Sequence, residues 1–131
     1  MPRWNQDTPF GPITVTVGDR GLRRITLPGF ADTEGGPGEP RIAPAPAQSD
    51  RPVADALDAW FAGRRTTLDL AVDLEPVSPF QRAVLVTLAR EVPWGETVTY
   101  GELAALAGRP GAARATGSAL RANPVPFVVP C

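Results

Sequence analysis

The sequence predicts a mixed α/β (α+β) protein in which a small β-sheet precedes a helical C-terminal region. Apolar residues alternate with polar ones near the N-terminus, which is typical of half-buried strands. Later in the chain, apolar residues recur at helical spacing, and each such stretch is preceded by residues that cap helices. With 131 residues, 43% of them apolar, the chain is long enough for one domain or two small ones with a buried core.

In the N-terminal half, apolar and polar residues alternate over 13–17, and a turn sequence follows at 18–21. This pattern predicts a β-hairpin in which 13–17 pairs with 22–27. Residues 28–52 hold six prolines and four glycines, a composition that predicts a flexible loop. Apolar residues at helical spacing over 53–61 predict an amphipathic helix. Residues 68–74 alternate between large apolar side chains and aspartate or alanine, which predicts a half-buried strand.

Two helices with capping-box sequences follow. Ser78 and Gln81 form the first box, ahead of a helix that should end near Val92 because Pro93 follows. Thr99 begins a second, shorter helix that Gly108 can close in the left-handed region.

A third helix is expected from Arg109-Pro110 to about Ala122, which gives the outline of a helix-turn-helix. On this helix Arg114, Ser118 and Arg121 share one face. No acidic residue follows Glu102, so the arginines suit phosphate contacts, and the small neighbouring residues would let a partner backbone approach. The alternative is an alanine-rich, solvated helix with ordinary surface arginines.

Composition excludes several kinds of chemistry. The chain has one cysteine and no histidine, so it cannot build a disulfide framework, a Ser-His-Asp triad or a His/Cys metal site. The apolar runs are too short to cross a bilayer, so we expect a cytoplasmic protein without a membrane partner. Cys131 follows an apolar stretch and is either a small buried hydrophobe or a nucleophile.

Charge divides the chain in two. Residues 1–75 carry eight Arg against eleven acids, and residues 76–131 carry five Arg against three. We expect an N-terminal domain over 1–75 and a C-terminal domain over 76–131.

Residues 78–131 resemble the C-terminal domain of the O6-alkylguanine-DNA alkyltransferases. The resemblance rests on ordered motifs: Ser-Pro-Phe-Gln at 78–81, Val-Pro-Trp-Gly-Glu-Thr-Val-Thr-Tyr at 92–100, Gly-Arg-Pro-Gly-Ala-Ala-Arg at 108–114, Asn-Pro-Val-Pro at 123–126 and Val-Val-Pro-Cys at 128–131. The preceding elements resemble the family's ribonuclease-H-like N-terminal domain. The second domain is then expected to be a winged-helix-like helix-turn-helix domain.

The resemblance implies direct repair of O6-alkylguanine in double-stranded DNA by a monomer without cofactor or metal, associated with the nucleoid through DNA binding. It implies that Cys131 accepts the alkyl group, that Tyr100 promotes base flipping and contacts guanine, and that Arg114 is the intercalating finger. Asn123 matches the structural hinge. The remaining candidate DNA contacts are Ala112, Ala113, Ser118 and Arg121.

In the family, His-Arg and later a Glu follow the cysteine and help to ionise its thiol. The sequence ends at Cys131, so we expect a truncated product, with alkylated-DNA binding without transfer, or an inactive fragment, as the alternative. A helix-turn-helix transcriptional regulator is a third interpretation. It would need base-reading side chains, whereas the last helix presents mainly Ala, Gly and Ser.

Overall fold

The computed structural model describes residues 2–28, 42–43, 45–65, 68–74, 77–93 and 95–129. The chain forms two compact units, Met1–Asp73 and Leu74–Cys131. Their described parts contain a three-stranded antiparallel sheet and four α-helices, which confirms the mixed α and β prediction. None of the helices in these ranges is both long and apolar enough to cross a membrane.

The sheet of the first unit has the order β1 (Arg3–Gln6), β2 (Ile13–Gly18) and β3 (Gly21–Thr26). The predicted hairpin is confirmed as β2 and β3, with Val15 opposite Ile25. β1 was not predicted, because its sequence Arg-Trp-Asn-Gln lacks apolar alternation. Its burial pattern instead places arginine, tryptophan and glutamine side chains inside.

Two sequence predictions in this unit need correction. Residues 29–41 and 44 of the predicted flexible loop lie outside the described residues, but Ala43 pairs with β1, donating to Arg3 O at 2.8 Å. The predicted strand over 68–74 is wrong as a full strand. It contributes one parallel bridge between Val72 and Leu22, because Asp73 rather than an apolar residue is buried beside β3.

In the first unit, α1 (Arg51–Phe61) follows a short 3-10 helix at Gln48–Asp50, agrees with the predicted amphipathic segment and buries Leu57 completely. A side chain of β1 binds this helix. Gln6 Nε2 donates to Ala54 O at 2.9 Å and to Asp58 Oδ1 at 2.8 Å. The bond to Ala54 is buried and the bond to Asp58 is part-buried, so together they fix the register of α1 on the sheet.

The described part of the second unit contains three α-helices: α2 (Pro79–Glu91), α3 (Tyr100–Leu106) and α4 (Ala113–Arg121). α2 ends before Val92, as predicted. Among the described residues, the core between the helices is apolar except for Thr87 and Thr116, and its largest fully buried residues are Val84, Leu85, Leu103, Thr116 and Val125.

The predicted start of the last helix at Arg109-Pro110 is wrong, since α4 begins at Ala113. Gly108 and Gly111 have φ values of +82° and +86°, a left-handed conformation that interrupts helical geometry on both sides of Arg109-Pro110. Residues 107–112 are therefore a turn that connects α3 to α4.

Candidate nucleic-acid interface

The N-terminus of α3 carries the first candidate residue, Tyr100. Thr99 caps the helix, because its Oγ1 accepts a hydrogen bond from Glu102 N at 3.1 Å. This cap satisfies a backbone donor that the first helical turn leaves unpaired. Tyr100 follows directly and is 55% exposed, so much of its ring is open to a partner.

The exposed face of α4 carries Arg114, Ser118 and Arg121, all accessible to solvent, as the spacing predicts. The opposite face is anchored in the core by the buried residues Thr116 and Ala119. Neither arginine of the exposed face forms an ion pair within the described part of the chain. The face therefore presents two uncompensated positive charges, which suits an anionic partner.

Small residues surround the start of α4. Ala112 and Ala113 are half-buried, and Ala115 and Ser118 are exposed. Without long side chains in the way, a partner could approach the helix backbone closely between the two arginines.

Asn123 follows α4 and holds the next segment by both ends of its side-chain amide. Its Nδ2 donates to Val129 O at 2.8 Å, and its Oδ1 accepts from Val125 N at 3.0 Å. Its backbone N–H donates to Leu120 O at 3.1 Å. One asparagine thus joins the C-terminal end of α4 to the backbone two residues before Cys131.

The segment held by Asn123 is a closed turn. Val129 N donates to Val125 O at 3.0 Å. Phe127 within it has φ +74°, a left-handed conformation that costs energy for a residue with a side chain. Pro130, Cys131 and Trp94 lie outside the described residues, so the candidate site is described as far as Val129.

Sequence reasoning missed one contact that shapes this site. The capping box at Ser78 forms only in part, since Ser78 Oγ accepts from Gln81 N at 3.1 Å. The Gln81 side chain does not return to Ser78. Its Nε2 instead donates to Ala119 O at 3.2 Å and Ala122 O at 3.0 Å, at the C-terminal end of α4. No local sequence signal indicates a bond of this sequence separation.

The structure also brings two sites of the sequence analysis together. The ring of Tyr100 lies against Gly117 of α4, where an added Cβ would stand 3.2 Å from Tyr100 Cε2. Tyr100 and the arginine-bearing helix therefore belong to one surface. In the described ranges no cluster of three or more His, Cys, Asp or Glu side chains is placed to hold a metal ion.

Comparisons with known proteins address the family. The family model described as "6-O-methylguanine DNA methyltransferase, DNA binding domain" matches residues 79–131. A methylated-DNA-protein-cysteine methyltransferase of Mycobacterium bovis is 37% identical over 95% of this chain and 72% of its own length. The chain belongs to the methylated-DNA-protein-cysteine methyltransferase family.

Other members of this family agree in sequence and structure. The mouse methyltransferase is 39% identical over 95% of this chain, which spans 65% of that relative's length. The Mycobacterium tuberculosis OGT, solved in complex with DNA, superposes with a TM-score of 0.79 and 36% identity over 100% of this chain and 76% of that one. The likeness to a methyltransferase therefore extends over both units.

Proposed function

We propose that this chain repairs O6-alkylguanine in double-stranded DNA by irreversible transfer of the alkyl group to Cys131, in a single turnover. The observation that carries the proposal is its likeness, over both units, to a methyltransferase solved in complex with DNA. The exposed arginine face of α4 supports it, because a helix with unpaired guanidinium groups suits a phosphate backbone.

The transfer is an in-line displacement at the alkyl carbon. The Cys131 thiol gives up its proton, and the thiolate sulfur forms a bond to the alkyl carbon while the bond from that carbon to guanine O6 breaks. The electron pair of the broken bond stays with guanine, which takes up one proton. The products are a cysteine thioether and unmodified guanine, so the protein is consumed.

The target base must leave the stack before sulfur can reach it. We assign Arg114 to the space that the base vacates and Tyr100 to the neighbouring backbone and the guanine ring. Both side chains are exposed, and the Tyr100 ring lies against Gly117 of the helix that carries Arg114, which supports these roles. Ala112, Ala113 and Ser118 would let the groove approach α4, and Arg121 would bind phosphate.

Asn123 is assigned a structural role as the hinge. Its hydrogen bonds to Val125 and Val129 tie the segment that leads to Cys131 to the C-terminal end of α4. These bonds would then fix the position of the Cys131 thiol relative to α4, the helix that we propose binds DNA.

The finer architecture follows from the same assignment. We propose that α3, residues 107–112 and α4 form a helix-turn-helix in a domain over 76–131, and that residues 1–75 form a ribonuclease-H-like domain. The short helix, glycine-containing turn and second helix support the first assignment. A DNA-binding repair protein of this kind would act at the nucleoid as a monomer.

The test is repair measured on the DNA. A duplex with one O6-methylguanine inside a restriction site resists cleavage, and cleavage returns when guanine is restored. We expect the wild-type chain to restore cleavage in proportion to protein added, and Cys131→Ala to restore none. Arg114→Ala should slow repair and weaken duplex binding, whereas the matched control Arg90→Ala, on α2 beside Glu91, should do neither.

Failure takes two distinguishable forms. A chain that binds the lesion duplex in preference to unmodified duplex but never restores cleavage would be a non-catalytic alkylated-DNA-binding protein. A chain that binds both duplexes equally would contradict the assignment of a damage-specific site.

A further inference from the structure

We propose that Gly117 is a positioning residue for Tyr100. Because glycine has no side chain, the Tyr100 ring can pack directly on α4 at Gly117, a contact called the seat below, and the ring is thereby held where it acts on the target nucleotide. This inference deepens the proposed function and rests on it. It comes from a close approach between two helices that the family assignment does not use.

Gly117 lies in the middle of α4 (Ala113–Arg121). Its φ is outside the left-handed range, so its backbone would accept any residue. Glycine is among the least favoured residues inside a helix, and alanine is the most favoured. Because the backbone does not require glycine here, the reason for it must lie in the surroundings.

The surroundings supply that reason. A Cβ on Gly117 would lie 3.2 Å from Cε2, 3.3 Å from Cδ2 and 3.7 Å from Cζ of Tyr100. Two of these distances are shorter than ordinary carbon contacts, so the ring rests on the helix backbone itself. With an alanine, the ring would have to move outward by a few tenths of an ångström.

Tyr100 is the first residue of α3 and is 55% exposed, and an exposed aromatic ring is free to change rotamer unless one face is packed. The contact with Gly117 supplies that packing. The ring is thereby fixed on the same helix that carries Arg114, which couples the two side chains assigned to base extrusion.

A matched control exists in the same pair of helices. Gly101 follows Tyr100 in α3 and has an ordinary helical backbone, and a Cβ there would meet nothing within 4 Å. Gly101→Ala therefore changes helix propensity beside the same tyrosine without touching the ring. Any effect confined to Gly117→Ala belongs to the seat.

The experiment measures base flipping in a Cys131→Ala background, where no transfer consumes the protein. The probe is a duplex with one O6-methylguanine beside 2-aminopurine, whose fluorescence rises when its neighbour leaves the stack. At saturating protein, Gly117→Ala should lower the flipping equilibrium on the order of threefold to tenfold, since small misplacements of a positioning group are costly. Gly101→Ala should leave it unchanged.

A double-mutant cycle separates the seat from a direct DNA contact. Tyr100→Ala should lower flipping by itself, and Gly117→Ala added to it should have no further effect, because no ring remains to displace. An equal loss from Gly117→Ala in both backgrounds would overturn the proposal and show that the added methyl group meets DNA. No loss in either background would also overturn it.

A readout in the free protein keeps failure of the seat apart from failure of the proposed function. The Hα protons of Gly117 should show a ring-current shift in the NMR spectrum. Tyr100→Ala should remove this shift, and Gly101→Ala should leave it in place. If Cys131→Ala with no second substitution leaves 2-aminopurine quenched, the proposed function and the positioning role are both contradicted. If it flips normally and Gly117→Ala flips equally well, the positioning role alone is overturned.

Discussion

The two units of the chain attach their irregular segments by different means. In Met1–Asp73 the attachment is through backbone groups: Asn5 N donates to Ala43 O at 3.1 Å, and Leu22 N donates to Ala71 O at 2.8 Å. In Leu74–Cys131 the irregular segment after α4 is attached by a side-chain amide, since Asn123 binds the backbone at Val125 and Val129.

The difference determines which positions are sensitive to substitution. Any residue can make a backbone hydrogen bond, except that proline cannot donate one, so side-chain changes at the attached residues Ala43 and Ala71 should be tolerated. An amide that donates and accepts at once has few replacements. The candidate site lies in the unit where single side chains hold the chain.

The largest expected effect comes from the place where backbone attachment forbids a side chain. Gly21 has φ +130°, and a Cβ there would overlap the backbone of Ala71, 2.7 Å from its carbonyl carbon. Gly21→Ala should cost about 3 kcal/mol of unfolding free energy from strain and overlap together. Urea denaturation followed by tryptophan fluorescence measures it.

Gly63→Ala is the control for the strain alone. Gly63 also has a positive φ, +77°, but nothing lies within 4 Å of its would-be Cβ. It should cost about 1 kcal/mol. Equal costs at both glycines would show that the chain at Ala71 moves away freely, which would contradict a tight backbone attachment.

The next effect tests the side-chain attachment. Asn123→Ala removes both bonds of the amide and leaves Val125 N and Val129 O without them, at a cost of about 2 kcal/mol. Hydrogen exchange measured by mass spectrometry should show faster exchange at Val125 and Val129, and repair should fall with it. Asn123→Asp keeps the acceptor for Val125 N but sets a carboxylate oxygen against Val129 O near the negative end of α4, so it should cost at least as much as Asn123→Ala.

Asn5→Ala is the matched control, because Asn5 is exposed and accepts one bond, from Thr14 Oγ1 at 3.0 Å. Its cost should stay within about 0.5 kcal/mol. If Asn5→Ala and Asn123→Ala destabilise the protein equally, the hinge role of Asn123 is wrong.

A smaller effect is expected at Gln81, whose two bonds hold the C-terminal end of α4. Gln81→Ala should cost about 1 kcal/mol, since one of the bonds is exposed. Gln81→Glu should cost more, because it replaces the donor with a negative charge at the negative end of the helix dipole. Thermal unfolding by circular dichroism ranks the two, and the reverse order would contradict the contact.

The smallest effect is a gain in stability. Thr116 is fully buried, and its Oγ1 has no hydrogen-bond partner among the described residues. Thr116→Val keeps the shape and removes the unpaired hydroxyl, so unfolding free energy should rise by between about 0.5 and 1 kcal/mol. Thr97→Val, at an exposed position, should change little. A loss of stability at Thr116 would indicate a bound partner for its hydroxyl.

Local sequence rules predicted the elements whose signals are local. The hairpin, α1, α2 and the Thr99 cap of α3 follow from alternation, helical spacing and capping residues. β1 could not be found in this way, because it buries Arg3 and Gln6 beside Trp4 and so lacks an apolar pattern. The strand expected over 68–74 fails for a related reason, since Asp73 is turned inward toward Arg23.

The candidate site likewise contains features that local sequence patterns predicted and contacts that they did not. Helical spacing alone placed Arg114, Ser118 and Arg121 on one exposed face, and family resemblance supplied the roles assigned to Tyr100 and Asn123. The bonds from Gln81 to α4 and the contact of Tyr100 with Gly117 join residues far apart in sequence. Contacts of this kind depend on how the helices pack, which single-sequence patterns do not encode.

Intact-protein mass spectrometry with peptide mapping shows whether Cys131 accepts the alkyl group. After incubation with duplex DNA containing one O6-methylguanine, we expect one added methyl group per chain, located on Cys131 and absent from Cys131→Ala. A methyl group on another residue, or an unchanged mass while the duplex stays alkylated, would contradict this expectation.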